Sequence, residues 1–216
     1  MKTTVFLADD HAVVRDGLRS YLQSQPDFQV VGDAPNGRRA VHDITRLAPQ
    51  IVVMDISMPD LNGVEAARQL REFCPDARVI ILSIHANAEY VYRALEAGAR
   101  GYLLKESAAA ELALAIRTVR EGRRYLSRKI ADLMVRDRLR TGTDRLPDPL
   151  QLLSGREREV LQLVVEGRSS AEIAQLLSLS PKTVETYRCR LMEKLGIENI
   201  VSLIKFAIQH GVTSLD

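Results

Sequence analysis

The stretch Ile51-Val52-Val53-Met54-Asp55-Ile56-Ser57-Met58-Pro59 decides the fold. Four consecutive apolar residues end on a carboxylate, and Pro59 stops the run shortly after. A short continuous apolar run with β-branched residues predicts a strand buried on both faces, the central strand of a parallel sheet. Asp55 then sits at the carboxyl end of that strand, the edge where open α/β sheets place their reactive groups.

Working outward, apolar runs alternate with amphipathic segments. Thr4–Ala8 is a strand ending at Asp9-Asp10, and Ala12–Ser24 carries Val13, Leu18, Tyr21 and Leu22 at helical spacing. Gln29–Ala34 is a second strand, followed by a helix over Arg38–Leu47 that ends before Pro49. After the central strand come a helix from Val64 to Phe73, closed by Pro75, and a strand over Val79–Ser83. A helix over Ala88–Ala97 ends at Gly98, Gly101–Lys105 is the fifth strand, and a helix over Ala108–Arg120 ends at Gly122. This pattern over residues 1–121 predicts an α/β unit with a five-stranded, parallel, doubly wound sheet and right-handed crossovers.

The residues that end the strands converge on one crevice: Asp9 and Asp10, Asp55, Ser83 and Lys105. Three crowded carboxylates repel one another unless a cation sits among them, and oxygen ligands with open water positions suit Mg2+. A lysine and a hydroxyl beside them supply donors for an anion held against the metal. That joint pattern is a phosphoryl-transfer site with a carboxylate nucleophile. His11 and His85 flank it and are read as residues of its rim.

Composition sets the outer limits. The 216 residues are 46% hydrophobic and 27% charged, ordinary for a globular protein. The two cysteines, Cys74 and Cys189, have no metal-ligand spacing and are read as reduced thiols. No apolar run approaches the roughly 20 residues needed to span a bilayer, so the expected location is the cytoplasm, with no membrane partner. Residues 1–121 hold 14 Lys and Arg against 16 Asp and Glu, residues 122–149 hold 8 against 4, and residues 150–216 hold 8 against 8. Composition alone announces no nucleic-acid binding, so that reading rests on local arrangement.

Residues 122–149 are expected to form a linker containing a helix over 127–140, with Ser127 as cap and one arginine-rich face. From residue 150 to 216 the pattern predicts a small all-α, four-helix unit. Ser154 and Glu157 form a capping-box signature, Ser180 caps a third helix that begins at Pro181, and Gly196 ends it. The second and third helices, joined by a tight turn, make a helix-turn-helix. On the third, Val184, Leu191, Met192 and Leu195 face inward. Lys182, Thr183, Glu185, Thr186, Arg188, Cys189 and Arg190 make the face that suits a major groove, with Lys182 and Arg188 for phosphates and Glu185, Thr186 and Cys189 for base edges.

Two resemblances carry these readings further. Asp9-Asp10, the D-x-x-M-P-x-x-x-G pattern at Asp55-Met58-Pro59-Gly63, and Gly98-Ala99-Arg100-Gly101-Tyr102-Leu103-Leu104-Lys105 resemble a response-regulator receiver domain. Leu153-Ser-Gly-Arg-Glu-Arg-Glu-Val-Leu, Ser180-Pro-Lys-Thr-Val-Glu-Thr-Tyr-Arg and Met192-Glu-Lys-Leu-Gly196 resemble the LuxR-type DNA-binding domain. Together they are similar to the NarL/FixJ family of two-component response regulators. The resemblance implies that Asp55 accepts phosphate from a sensor histidine kinase. It also implies that Asp9, Asp10, Asp55 and the backbone carbonyl of Ser57 hold Mg2+, that Lys105 pairs with the phosphoryl group, and that the Ser83 hydroxyl swings to bond it as Tyr102 turns inward. Implied partners are promoter DNA, a second copy when phosphorylated, and RNA polymerase. Two surfaces are open to the second copy, the face from Leu95 to Ile116 and the outer face of the last helix from Val201 to Ile208.

Two other classes of function fit these residues less well. A phosphatase of the haloacid-dehalogenase type needs a second aspartate two residues after the nucleophile, where this chain has Ser57, so the protein is expected to catalyse only its own phosphorylation and dephosphorylation. A DNA-binding protein with a degenerate receiver has no use for Asp9, Asp10, Asp55, Ser83 and Lys105 together.

Overall fold

Six strands line up in one parallel sheet in the spatial order Phe28–Ala34, Thr3–Ala8, Ile51–Asp55, Arg78–Ser83, Gly101–Leu104 and Tyr125–Leu126, with the Ile51–Asp55 strand inside it. The computed structural model describes residues 2–141 and 148–213. In chain order the first unit comprises β1 (Thr3–Ala8), α1 (Ala12–Gln23), β2 (Phe28–Ala34), α2 (Gly37–Leu47), β3 (Ile51–Asp55) and α3 (Gly63–Phe73). It continues with β4 (Arg78–Ser83), α4 (Ala88–Glu96), β5 (Gly101–Leu104) and α5 (Ala108–Arg120). Every residue of β3 is buried, as its unbroken apolar run requires, with β1 on one side and β4 on the other. The strand's alternating side chains feed two cores. Val52 and Met54 join the cluster under α2, α3 and α4, and Ile51 and Val53 join the one under α1 and α5.

The expectation of five strands is corrected to six. β6 (Tyr125–Leu126) pairs with β5, and the Tyr125 and Ser127 amides donate to the Arg100 and Tyr102 carbonyls, each at 3.0 Å. α6 (Arg128–Thr141) then turns back and packs Ile130, Leu133 and Met134 against the cluster that holds α4 and Tyr102. The helix expected over 127–140 therefore exists and belongs physically to the first unit, with Leu139 exposed. Residues 142–147 of the expected linker lie outside the described residues.

Gly63 explains why the central motif ends in glycine. A Cβ there would lie 1.9 Å from the Asp55 carbonyl oxygen and 2.9 Å from its carbonyl carbon, so α3 starts against the backbone of the strand end. Gly63→Ala is expected to destabilise the protein by about 3 kcal/mol, the upper end for overpacking, because backbone cannot yield as a side chain can. A urea midpoint shifted down with an unchanged slope is the readout.

The second unit opens with a short 3-10 turn over Pro149–Leu152. It contains α7 (Gly155–Val165), α8 (Ser170–Leu177), α9 (Pro181–Leu195) and α10 (Ile200–Gln209) around a core of Val160, Leu161, Ile173, Val184, Leu191 and Leu203. Its first and third helices carry the caps the sequence announces. Ser154 and Glu157 form a full capping box, Ser180 accepts from the Thr183 amide with Pro181 in the first turn, and Asn199 caps α10. Ser169 and Glu172 make a second capping box at α8. Glu157 is also bridged by Lys194 at 2.7 Å, which ties α9 to the start of α7.

α7 docks on the first unit at the α3 side. Arg158 makes a two-pronged pair with Glu65 at 2.6 and 3.2 Å. Glu159 takes Arg38 and Gln69 at 3.0 and 3.1 Å. At the other end of the contact Arg93, on α4, pairs with Asp148 and donates to the His210 carbonyl.

Candidate functional site

The parallel sheet brings the sequence-predicted acids to its carboxyl edge. Asp9 follows β1 and Asp55 ends β3, and both are almost completely buried. Lys105, just past β5, places its ammonium 2.7 Å from Asp55 Oδ2 and 2.9 Å from Asp9 Oδ2. Burial works against the charge on Lys105, but the two carboxylates outweigh it and hold its pKa above the ordinary lysine range. Asp10 lies at the rim with His11 Nδ1 at 2.7 Å, and His11 is exposed, as a rim residue should be.

Arg15 is a site residue that the sequence reading missed. It donates to the Asp9 carbonyl at 2.6 Å and the Asp10 carbonyl at 3.2 Å, and it pairs with Asp33 at 3.1 Å. It thereby braces the acidic turn from α1. Only its place one turn into the helix after the acids hinted at the role.

The donor set fits a hard divalent cation. Asp9, Asp10, His11 and Asp55 offer ligand atoms that all lie within 4.8 Å of one another. Asp9 Oδ2 and Asp10 Oδ1 are buried, the first 2.9 Å from the Lys105 ammonium and the second 2.7 Å from His11 Nδ1, and an ionised carboxylate keeps further lone pairs for a cation. Ser57, whose carbonyl the family resemblance adds to the set, follows two residues after Asp55, and its amide donates to Asp55 Oδ1 at 3.4 Å.

Burial raises the Asp55 pKa to about 6, against the hydrogen bond from Lys105 and with help from the neighbouring Asp9 charge. Its folded-state value thus lies above that of an unfolded aspartate. Its contribution to stability is unfavourable above pH 6 and improves as the pH falls through that value. In metal-free protein the Asp55 carboxyl carbon is expected to titrate near 6 by NMR, and Mg2+ is expected to move the titration to lower pH. A titration indifferent to Mg2+ would put the cation elsewhere.

Ser83 and Tyr102 lie as neighbours beside the acids. The Ser83 hydroxyl oxygen accepts from the His85 amide at 3.0 Å. Tyr102 is fully buried and donates its hydroxyl hydrogen to the His85 carbonyl at 2.8 Å. Burial pushes its pKa up to about 12. The ring expected to turn inward is thus already inward, where it gains both burial and a partner. The His85 ring stacks on Tyr90 with centroids 4.5 Å apart.

The third-helix residues divide much as their period suggests. Lys182, Glu185, Thr186, Cys189 and Arg190 of α9 are exposed, whereas Thr183 and Arg188 are half-buried. The Thr183 hydroxyl is engaged with Ser180 at 2.8 Å, and the Thr186 hydroxyl donates to the Lys182 carbonyl at 3.0 Å. Ser170, at the start of α8, donates its hydroxyl hydrogen to Glu185. The contacts that dock the helical unit come from α7, the 3-10 turn and the end of α10, so this face of α9 stays open to solvent.

Residues 5–117 match the response regulator receiver domain family, and residues 151–207 match the LuxR family of bacterial regulatory proteins. The chain is 38% identical to the transcriptional regulatory protein MctR of Rhizobium johnstonii, over 99% of this chain and 96% of the other. It is 37% identical to the response regulator UvrY of Escherichia coli, over 98% and 96%. Among solved structures, the RcsB response regulator of Salmonella typhimurium covers 95% of this chain and 97% of its own, at 27% identity and a TM-score of 0.60. RcsB has also been solved as a complex with DNA. With an acidic pocket at the sheet edge of one unit and an open helix-turn-helix on the other, the chain belongs to the NarL/FixJ family of two-component response regulators, as a DNA-binding transcriptional regulator that joins a receiver domain to a LuxR-type domain.

Proposed function

We propose that a sensor histidine kinase phosphorylates Asp55 with Mg2+ held by Asp9, Asp10, Asp55 and the Ser57 carbonyl, and that phosphorylation promotes promoter binding by favouring a homodimer. The observation that carries this reading is the Lys105 ammonium between two buried carboxylates, 2.9 Å from Asp9 and 2.7 Å from Asp55, within a cluster of Asp9, Asp10 and Asp55 whose ligand atoms lie close enough to share a cation. When bound, Mg2+ offsets the carboxylate charges and those of the phosphoryl oxygens.

The chain's own groups do the rest. An Asp55 oxygen attacks phosphorus in line with the leaving group, and Lys105 moves from carboxylate to phosphoryl oxygen. The Ser83 hydroxyl leaves the His85 amide to bond the same group, and Tyr102, already buried, keeps the altered loop packed. The buried setting makes these charge-assisted bonds stronger than they would be in water. The protein transfers no group to a separate substrate; phosphorylation and dephosphorylation of itself are its only catalysis.

An accessible α9 favours dimerisation over unmasking as the readout. Exposed Leu114 on α5 and Val201 on α10 lie on the two faces available to a second copy, while α6 occupies the α4 side near Leu95. Two copies double the phosphate contacts, which compensates for a DNA-binding domain without net charge. The working location is the cytoplasm, and contact with RNA polymerase at the promoter completes the reading.

The test is binding to a promoter fragment from the protein's own genome, with and without a small phosphodonor and Mg2+, for wild type and Asp55→Ala. Tightening in wild type alone supports the switch. Equal binding in all four conditions removes it and leaves the helix-turn-helix standing. In the same assay Lys182→Ala is expected to weaken binding by a similar factor on all sequences. It should also lower the slope of log affinity against log salt by about 1, the signature of a lost phosphate contact.

A further inference from the structure

Each of the last three strands is led in by an arginine: Arg78 opens β4, Arg100 precedes β5 and Arg124 precedes β6. They stand at the amino edge of the sheet, the end away from Asp55. The register decides where each points. Gly101 pairs with Ile80 on one side and Tyr125 on the other, so Arg100 lies abreast of both Val79 and Arg124. Residues abreast on parallel strands point to the same face, and Val79 belongs to the cluster under α2, α3 and α4. Arg100 and Arg124 therefore share that face, side by side at the strand spacing of about 4.8 Å. Arg78, one residue before Val79, points to the other face. There it donates to the Val119 carbonyl at 2.8 Å and to the Arg120 carbonyl, at the end of α5.

Arg71 reaches the same edge from α3. Its stem lies on Gly98, where a Cβ would come within 3.1 Å of Arg71 Cδ, and its guanidinium donates to the Glu96 carbonyl at 3.3 Å. Helix-end carbonyls attract cations, which accounts for Arg71 at α4 and Arg78 at α5. Arg100 and Arg124 have no such reason. Both are exposed, and neither side chain makes a hydrogen bond or ion pair among the described residues. Like charges abreast on neighbouring strands repel, and here the repulsion falls on β6, an edge strand of two residues.

These arginines line a cleft of about 410 Å³. Asp76 is the only acid among the described residues on its walls, against Arg71, Arg78, Arg100 and Arg124. The described walls carry no aromatic ring on which a base could stack, so charge must do the recognition. A guanidinium fork binds phosphoryl oxygens two at a time. Three forks around a cleft of this size suit an anion larger and more highly charged than one phosphate.

We propose that this cleft is a second anion site of the receiver, and that it takes a small molecule carrying two linked phosphoryl groups. Arg100 and Arg124 grip the anion from the sheet, and Arg71 holds it from α3. The bound anion turns the repulsion between β5 and β6 into a bridge, and so fastens β6 and the helix α6 that follows it. The site stands independently of the reading of Asp55 as phosphoacceptor.

The experiment is calorimetric titration of the full-length protein with pyrophosphate, orthophosphate and ADP at physiological ionic strength. A chelator is present throughout, so that Asp9, Asp10 and Asp55 hold no metal that could recruit a phosphate. Wild type is expected to bind pyrophosphate with a dissociation constant below about 0.1 mM, and orthophosphate about tenfold more weakly or worse. Arg100→Gln combined with Arg124→Gln is expected to weaken pyrophosphate binding by about tenfold or more. Arg123→Gln, which removes an exposed arginine paired with Glu121 outside the cleft, should keep wild-type affinity. Without ligand, the thermal midpoint of the double variant is expected to stay level or rise, because a repulsion has been removed. A lowered midpoint makes the two arginines structural and overturns the proposal. So does wild-type affinity for pyrophosphate in the double variant, or no binding by wild type. Orthophosphate bound as tightly as pyrophosphate overturns the two-group ligand. ADP separates the two sources of such a group: equal affinity assigns recognition to the phosphates alone, tighter binding adds the nucleoside, and both support the site. Duplex DNA binding that falls in the double variant, while wild type ignores pyrophosphate, overturns the small ligand in favour of a nucleic-acid backbone.

Discussion

Asp55→Asn is expected to reduce labelling by a small phosphodonor more than about a thousandfold, to the background of the assay, as loss of an attacking group does in other covalent mechanisms. The substitution is close to isosteric, and the amide oxygen can still accept from Lys105, which now sits 2.7 Å from an Asp55 oxygen. What disappears is the nucleophile. The neighbouring carboxylates cannot substitute for it. Asp9 and Asp10 lie in the turn after β1, and neither occupies the end of β3, the position from which Asp55 faces an in-line donor. Intact-mass measurement after incubation with acetyl phosphate and Mg2+ reads the result directly: one phosphoryl mass on wild type and none on the variant. Labelling retained in Asp55→Asn would move the phosphoacceptor to another residue.

The variant also isolates the electrostatic cost of the site. Asp55 is buried with a pKa of about 6, so at neutral pH the folded protein carries an ionised group that its surroundings disfavour. Asparagine carries no such burden. The activity lost and the strain relieved belong to the same atom, which is what a reactive carboxylate on a strand end entails.

How much of this could be read from the sequence depended on how local the cause was. β3 was readable because its reason for being buried is contained in its own residues, an unbroken apolar run that needs cover on both faces. The Ser154–Glu157 capping box was readable for the same reason, since both partners lie within one turn. The convergence of Asp9, Asp55 and Lys105 followed from topology, because parallel strands must end at one edge.

β6 was not readable. Two residues have no periodicity, and Tyr125 and Leu126 become a strand only because β5 offers an edge beside them. Nor were the docking residues. Glu159 and Gln162 lie on the polar side of α7 and look like a solvated face, and they are covered only because another domain supplies Arg38, Gln69, Met58 and Asn62. A buried polar residue on a helix leaves no local signature when its partners are about a hundred residues away.

Arg158→Met is expected to shift the balance between docked and separated domains by about 3 kcal/mol, the scale for breaking one side of a buried ion pair. Glu65 is 4% exposed and receives both prongs of the Arg158 guanidinium, and its remaining cationic neighbour, Arg68, lies 3.6 Å away. Once Arg158 is gone, the Glu65 carboxylate regains hydrogen bonds by meeting water, and water reaches it when α7 leaves. The loss should therefore appear as separation of the domains, seen as a larger radius of gyration by small-angle scattering, with the receiver core still folded. Replacing both partners, as Glu65→Leu with Arg158→Met, removes the stranded charge as well as the pair and should restore much of the compact form. The cycle of single and double variants then reports the coupling between the two residues. A radius unchanged in Arg158→Met, together with a fall in global unfolding stability, would mean that the domains melt as one body. Phosphorylation would then have to act through dimer surfaces on a receiver and DNA-binding domain that never part.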